Sequence, residues 1–384
     1  MVNKLYRFLK DSGSAMLMRL FRAFPIQQNK AVFISYSGRF YNDNPRCVSE
    51  ELEKHDDVEI VWSVLDGVKC SPKVRTVSPF SVKYIYELAT AKVWVDNARK
   101  RPWIRKRKGQ YYIQTWHGNI GNKRAEKAAG DTLDKPYIKG AIHDAACTDL
   151  MLSGSKFFTD LCYEAFWYDG EVLECGTPRL DIFYHCTPEI IADVKGELGL
   201  SPDTKVVLYA PTFRQDLRID CYDMDYTALL DTLQKKYGGD WVVAVRMHPN
   251  VPQDSFIQFS DKIINATKYP DLYKLMLASE IIVSDYSSLT FEAGLIKKPV
   301  LLFATDVKEY IDERGFYWDM RELPFPLAET NDELIRLVRQ FDRAQYEAGI
   351  DAFYSKLEIK ESGKASKIVA DRIYQVMQAG KNAK

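Results

Sequence analysis

Two short segments contain the residue types that phosphate chemistry requires. His117 lies in Thr115-Trp116-His117-Gly118, and Ser287 and Ser288 follow the apolar run 281–284. A histidine titrates near neutral pH, so it can remove the proton of an attacking hydroxyl. Serines at the start of a helix offer hydroxyls and free backbone N–H groups, which suit a phosphate. The two segments predict phosphoryl chemistry across a cleft between two domains.

Further charged residues accompany the predicted strand ends of the second half. Arg246 and His248 flank Met247, and on a continuing strand their side chains would form one clamp for phosphate oxygens. Arg214 is the last residue of the segment 210–214, and Arg314 precedes a glycine. Each could bring a further cation to the phosphates. Glu292 lies one helical turn beyond the serines, where it could accept hydrogen bonds from ribose hydroxyls.

Each of these residues also has an ordinary structural interpretation. Serine is a favoured helix cap, and Glu292 suits the positive end of a helix dipole. A single histidine is more often structural than catalytic, and Arg314 could lie on the surface. Phosphate would repel an ionised Asp285, so we expect that carboxylate to orient a donor or to face away.

Short apolar segments alternate with helical ones, which favours parallel strands joined by right-handed crossovers. We predict strands at 31–36, 58–64, 74–77, 92–96 and 111–115, and in the second half at 205–209, 241–246, 263–265, 281–284 and 300–303. The motifs lie where these strands end, which is the ligand-binding edge of open α/β sheets. A final helical pattern at 364–379 could cross back onto the first half.

Length and composition narrow the class of protein. A chain of 384 residues favours two domains, and a formal net charge of zero gives no reason to expect a nucleic-acid partner. Seven scattered cysteines predict reduced thiols in a cytosolic setting, without a metal site. The sequence contains no P-loop, G-x-G-x-x-G, G-x-S-x-G or H-E-x-x-H motif, and we expect neither a metal nor a cofactor.

The first 26 residues predict a basic amphipathic helix. Cations outnumber the one acid, Asp11, and apolar residues recur at helical spacing, as in helices that lie on anionic membranes. No apolar run reaches the ~18–20 residues that span a bilayer. The basic stretch 99–108 could touch an anionic acceptor or lipid headgroups. The alternatives are a terminal helix packed on its own domain and a solvated loop.

Six ordered motifs together resemble the CDP-glycerol glycerophosphotransferase family, whose enzymes build wall teichoic acid and related polymers in bacteria. The resemblance covers roughly residues 30 to 350. The motifs are Trp116-His117-Gly118, Gly176-Thr177-Pro178-Arg179-Leu180-Asp181, Tyr209-Ala210-Pro211-Thr212-Phe213-Arg214, Arg246-Met247-His248-Pro249, Ser284-Asp285-Tyr286-Ser287-Ser288 and Arg314-Gly315-Phe316-Tyr317.

The resemblance implies an α/β protein of the GT-B class, with two Rossmann-like domains facing a central cleft. The implied ranges are a membrane-associating segment at 1–26, an acceptor-side domain at 27–185 and a nucleotide-binding domain at 186–384. It further implies transfer of glycerol phosphate from CDP-glycerol to a hydroxyl of a lipid-linked acceptor, with release of CMP. The enzyme would work peripherally at the cytoplasmic face of the cell membrane.

The resemblance also implies residue roles. His117 would be the base on the acceptor hydroxyl, and Glu292 would lie near the ribose. The phosphates would be surrounded by His248, Arg246, Ser287, Ser288 and Arg314. Charge stabilisation by these donors would require no metal.

One departure and several alternatives remain open. Family members often continue Trp-His-Gly with Thr-Pro-Leu-Lys, whereas this chain has 119–123 as Asn-Ile-Gly-Asn-Lys, so the acceptor is undetermined. A CDP-ribitol donor is an alternative, as is a GT-B glycosyltransferase or nucleotide-sugar 2-epimerase. A non-catalytic membrane-associated assembly factor is a further alternative.

Overall fold

Two sheets of parallel strands organise the part of the chain that the structure describes. The computed structural model describes residues 2–214, 219–248, 251, 257–307, 309 and 315–382. The first sheet contains β1 Gln27–Ile34, β2 Glu59–Ser63, β3 Arg75–Val77, β4 Ala91–Asp96, β5 Tyr111–Gln114, β6 Leu150–Ser153 and β7 Glu171–Glu174. The second contains β8 Lys205–Tyr209, β9 Trp241–Val245, β10 Ile263–Asn265, β11 Ile281–Ser284, β12 Val300–Phe303 and β13 Leu327–Ala328.

The strand order in both sheets is that of a doubly wound fold. The first sheet runs β3-β2-β1-β4-β5-β6-β7 and the second β10-β9-β8-β11-β12-β13. The order reverses beside β1 in the first sheet and beside β8 in the second, and such switch points are where open α/β sheets bind ligands. The central strands are buried on both faces and read as continuous apolar runs, as parallel strands do.

Helices cover the faces of both sheets. Those beside the first sheet are α1 Val2–Phe21, α2 Asp43–Leu52, α3 Val82–Thr90, α4 Lys135–Cys147 and α5 Lys156–Ala165. The helices α6 Pro188–Glu197, α7 Tyr226–Tyr237, α8 Leu272–Leu277, α9 Leu289–Leu295, α10 Asn331–Gln340 and α11 Arg343–Ser355 accompany the second sheet. The last helix, α12, is Ala365–Asn382.

The chain divides into two compact units. The first unit consists of Met1–Asn119, Ala125–Asp181 and Ile359–Lys384, and the second of Ile120–Arg124 and Ile182–Glu358. Helix α12 therefore belongs to the first unit, where it packs on α2 and β1 through buried Val369 and Ile373. These units differ from the expected ranges 27–185 and 186–384 mainly in the placement of the C-terminal segment. The functional assignment of the domains stays a prediction.

Helix α1 packs on its own unit. It lies against α3, and Met18 is buried in a core cluster with Tyr84 and Leu88. Met16 and Leu20 remain exposed, at 60% and 58% of their surface. Among the described residues, no helix combines the length and hydropathy needed to cross a bilayer. The membrane role of residues 1–26 stays a prediction.

Candidate active site

His117 lies just beyond the end of β5, and its hydrogen bond determines which ring nitrogen can act as a base. Its Nδ1 is 2.7 Å from the carbonyl oxygen of Asn97, which follows β4. A carbonyl oxygen can only accept a hydrogen bond, so Nδ1 carries the proton. In the neutral ring, Nε2 is then the unprotonated nitrogen that can accept a proton from a substrate.

The surroundings of His117 favour its neutral form. Burial lowers the pKa of His117, and the hydrogen bond to Asn97 opposes this shift without reversing it. The indole of Trp116 stacks on the imidazole at 4.4 Å between ring centroids, and the Tyr36 ring lies 5.6 Å away. The lowered pKa keeps the imidazole in its base form at neutral pH.

A buried polar network holds the backbone that carries His117. The Asn44 side chain donates to the carbonyl oxygens of Thr115 (3.3 Å) and Trp116 (3.1 Å). Its own oxygen accepts from the backbone N–H of Arg179 at 3.1 Å. The Arg179 guanidinium pairs with Asp43 at 2.8 Å, and both side chains are about 5% exposed. Sequence reasoning missed Asp43 and Asn44, the first two residues of α2, because they belong to a polar segment without a distinctive motif.

The backbone around His117 is strained at several non-glycine residues. Tyr36, Asp43 and Trp116 have φ of 45°, 62° and 52°. Residues with a Cβ rarely adopt such angles, and they cluster at functional sites. The left-handed residue of this turn is Trp116 and not the neighbouring Gly118. Asn44 holds the Trp116 carbonyl, so the network stabilises the strained turn.

In the second unit, Arg214 is enclosed by protein groups. Its guanidinium binds both oxygens of Asp306, at 2.7 and 3.0 Å, and lies 2.8 Å from Asp285. Nη1 donates to the Thr212 carbonyl at 2.6 Å. The two carboxylates raise the pKa of Arg214 against the cost of burial. Arg214 therefore joins the ends of β8, β11 and β12, and its expected contact with phosphate stays a prediction.

Asp285 orients hydrogen-bond donors, which is one of the two roles that the sequence predicted for it. Besides the ion pair with Arg214, its Oδ1 accepts the backbone N–H groups of Thr212 (2.8 Å) and Tyr286 (2.6 Å). Asp306, which sequence reasoning missed, also accepts the Tyr286 hydroxyl at 2.8 Å. A signal for Asp306 existed, because it follows β12 at the edge where the other motifs end.

Arg246 and His248 have different surroundings beyond β9. The Arg246 guanidinium donates to the carbonyl oxygens of Ala266 (3.3 Å) and Tyr269 (2.5 Å), and burial lowers its pKa. The His248 side chain is exposed, with its ring 4.9 Å from that of Phe213. The carbonyls orient Arg246, whereas His248 is accessible to a ligand.

The serine pair directly precedes α9. Ser288 is the N-cap residue, and its hydroxyl makes no capping hydrogen bond to the residues that the structure describes. Ser287 Oγ accepts the Leu289 N–H at 3.4 Å. Glu292 is buried and accepts the Tyr273 hydroxyl at 3.1 Å. Arg314 lies outside the described residues.

The segment that departs from the family pattern pairs with the Gly315-Phe316-Tyr317 motif inside the second unit. Lys123 forms an antiparallel bridge with Phe316. The Asn122 side chain accepts the Trp318 N–H at 2.8 Å and donates to the Trp318 carbonyl at 2.9 Å. A Cβ at Gly121 would lie 3.5 Å from Ser288 Cβ. Among the described residues, no group of three or more His, Cys, Asp or Glu could hold a metal ion.

Comparison with known proteins places this chain in a family. Residues 16–375 match the family described as CDP-glycerol:poly(glycerophosphate) glycerophosphotransferase. A teichoic acid poly(glycerol phosphate) polymerase of Bacillus subtilis (strain 168) is 30% identical over 391 residues, covering 98% of this chain and 51% of that protein. A teichoic acid glycerol-phosphate transferase of Staphylococcus aureus is 32% identical over 364 residues, covering 91% and 93%. The chain thus spans about half of the first relative and nearly all of the second.

The solved structure of a wall teichoic acid polymerase has the same fold as this chain. The wall teichoic acid polymerase TagF has 28% sequence identity and a TM-score of 0.83, covering 99% of each chain. This similarity confirms the predicted α/β fold of the GT-B class. The match over residues 16–375 shows that this chain is an enzyme of the CDP-glycerol:poly(glycerophosphate) glycerophosphotransferase family.

Proposed function

We propose that this enzyme transfers glycerol phosphate from CDP-glycerol to a hydroxyl of a lipid-linked acceptor in teichoic acid synthesis, releasing CMP. The observation that carries the proposal is the His117 imidazole, whose Nδ1–H donates to Asn97 and leaves Nε2 as a base. The family match over residues 16–375 supports the donor and the reaction class.

In the proposed reaction, the acceptor oxygen attacks the phosphorus that bears glycerol. The new P–O bond forms as the bond from that phosphorus to the CMP oxygen breaks, and CMP leaves with the bonding electrons. His117 Nε2 takes the hydroxyl proton. Because phosphoryl transfer involves little covalent chemistry with the protein, positioning and charge stabilisation supply the rate.

We assign the donor to the second unit. The accessible His248 and the serine pair bind the diphosphate, Arg246 adds a fixed cation, and Glu292 binds the ribose. Carbonyl groups hold Arg246 in place, and the Tyr273 hydroxyl holds Glu292. Arg314 belongs to the proposed phosphate site on the strength of its motif alone. Arg214, which joins three strand ends, likewise belongs to the proposed phosphate site on the strength of its motif.

We assign the acceptor to the first unit, which carries His117. A lipid-linked acceptor would be met at the cytoplasmic face of the membrane, where α1 would attach the enzyme peripherally. Two features support this assignment: Met16 and Leu20 on α1 are exposed, and the adjacent stretch 99–108 is basic.

The test is CMP release from CDP-glycerol with a lipid-linked polyol-phosphate acceptor, with CDP-ribitol and UDP-sugars in parallel. His117→Ala and His248→Ala should each abolish most of the release. His185→Ala, at an exposed histidine that we place outside the site, should retain it. Preference for CDP-ribitol would change the donor, and UDP release from a sugar would overturn the proposed reaction.

A further inference from the structure

A cationic cavity lies between α1 and the basic stretch 99–108 in the first unit. Its volume is about 340 Å³, within the ~300–1,000 Å³ range of small-ligand sites. Arg19, Arg22 and Arg105 line it, together with the apolar side chains of Met18 and Trp103. The cavity therefore combines a positive rim with an apolar wall.

Within the described ranges, no acid forms an ion pair with the arginines that line this cavity. Asp11 is the acidic residue among those that line it, and it pairs with Arg101 at 3.4 Å. Arg22 donates to the Arg105 carbonyl at 2.6 Å, which holds two of the cations together. Burial and the charges of Arg107, Arg105 and Arg19 lower the pKa of Arg22. An anion in the cavity would relieve this repulsion.

Two residues that line the cavity each carry a buried hydrogen-bond donor for which the described part of the chain provides no acceptor. Trp103 is 8% exposed, and its Nε1–H has no hydrogen-bond partner among the described residues. Nε of Arg22 is likewise buried without a partner in the described part of the chain. Buried hydrogen-bond donors are nearly always paired, so two unpaired donors beside one cationic cavity indicate a ligand that is rich in hydrogen-bond acceptors. A phosphate group supplies several strong acceptor oxygens and the negative charge.

The surface next to the cavity indicates where the phosphate comes from. Met16 and Leu20 lie one turn apart on α1 and form an exposed apolar stripe. Phe24, three residues beyond the end of the helix, is 48% exposed. An apolar stripe beside arginines fits the boundary between acyl chains and headgroups of a membrane.

We propose that this cavity binds the headgroup phosphate of an anionic phospholipid, with Arg22, Arg105 and the Trp103 indole as ligands. The site deepens the proposed peripheral attachment, on which it rests. Such a site differs from diffuse electrostatic attraction between basic residues and an anionic membrane, because it also requires the uncharged indole N–H donor of Trp103. Seating one headgroup there would orient the first unit relative to the membrane plane.

The experiment measures binding of the full chain to phosphatidylcholine vesicles with and without phosphatidylglycerol. We expect binding only to the anionic vesicles, weakened about thirtyfold by Arg22→Gln and Arg105→Gln combined, because each basic residue near a membrane adds about 1 kcal/mol. Trp103→Phe and Arg22→Lys test the site itself, since both preserve charge, and each should weaken binding at least about threefold. Lys69→Gln, at an exposed lysine in the same unit, should bind like the parent.

Unchanged vesicle binding by both Trp103→Phe and Arg22→Lys, with unaltered melting temperatures, would overturn the proposal. Stabilisation by inorganic phosphate or glycerol 3-phosphate without vesicle binding would overturn the lipid source and indicate a soluble phosphate ligand. CMP release with a water-soluble acceptor, assayed without vesicles, keeps this result separate from the proposed reaction. Failure of that release in the parent protein would count against the reaction, not against the cavity.

Discussion

At the scale of one residue, a single hydrogen bond determines the tautomer of His117. The Asn97 carbonyl fixes the proton on Nδ1, so Nε2 is the proposed base. We expect His117→Ala to lower kcat by about 10²–10⁴-fold, the usual contribution of general base catalysis. KM for CDP-glycerol should change little, because the donor is assigned to the other unit. Steady-state CMP release measures both constants, and a raised KM with unchanged kcat would show a binding role instead.

The pH dependence of the reaction tests the same residue differently. Burial lowers the pKa of His117, so its neutral form persists to lower pH than that of an ordinary histidine. We expect kcat/KM to hold constant down to about pH 6.5, the usual histidine pKa, and to fall only below it. An acid limb at or above that value would contradict the burial argument. The residual kcat/KM of His117→Ala should not show this fall at acid pH.

Asn44 acts at the scale of elements, because it joins the first turn of α2 to the loop after β5. Its amide holds two consecutive carbonyls of the His117 loop. Asn44→Ala leaves buried groups unpaired, and we expect it to lower the free energy of unfolding by about 1–3 kcal/mol. It should also lower kcat about tenfold, since a small misplacement of a base is costly. Urea unfolding and CMP release measure the two effects.

The matched control for this prediction is Asn29→Ala. Asn29 donates to the Asp57 carbonyl at 3.2 Å in an exposed position, so its loss should leave kcat unchanged. An Asn44→Ala enzyme that is less stable but fully active would show that the network stabilises the fold without orienting His117.

The ends of β8, β11 and β12 are joined by a buried ion-pair network around Arg214. Asp306→Ala removes one carboxylate from Arg214, whose side chain is 4% exposed, and leaves the guanidinium incompletely compensated. We expect a loss of about 3–5 kcal/mol in the free energy of unfolding. Asp306→Asn, which keeps the shape and one acceptor, should cost less. Equal losses in the two variants would argue against an electrostatic cause.

At the scale of the whole molecule, the C-terminal segment completes the first unit. Val369, Ile373 and Met377 are buried in the core of the first sheet, and burial of each contributes about 1.5–3 kcal/mol. Their sum approaches the ~5–15 kcal/mol stability of a typical domain. A chain that ends at Glu358 should therefore lose cooperative unfolding of the first unit. Circular dichroism and limited proteolysis measure this, and a stable first unit would contradict the prediction.

The local pattern of the sequence predicted much of the second sheet. The expected strands 205–209, 263–265, 281–284 and 300–303 agree with β8, β10, β11 and β12, because short runs of β-branched and apolar residues are flanked by polar turns. Strands β6 and β7 were not predicted. Leu150–Ser153 has four residues, and β7 at the sheet edge has two half-buried residues between exposed glutamates, so neither gives a strong signal.

The sequence by itself determined the elements, the order of the motifs and the histidine and serines proposed to act. These follow from local periodicity and from residue chemistry, which do not depend on distant partners. Only the tertiary structure decided that Asp306 and Asp285 form ion pairs with Arg214 and that Asn44 supports the His117 loop. It also decided that the Trp103 indole N–H has no acceptor in the part of the chain that the structure describes. Burial and pairing depend on residues far apart in the chain, so no local pattern contains them.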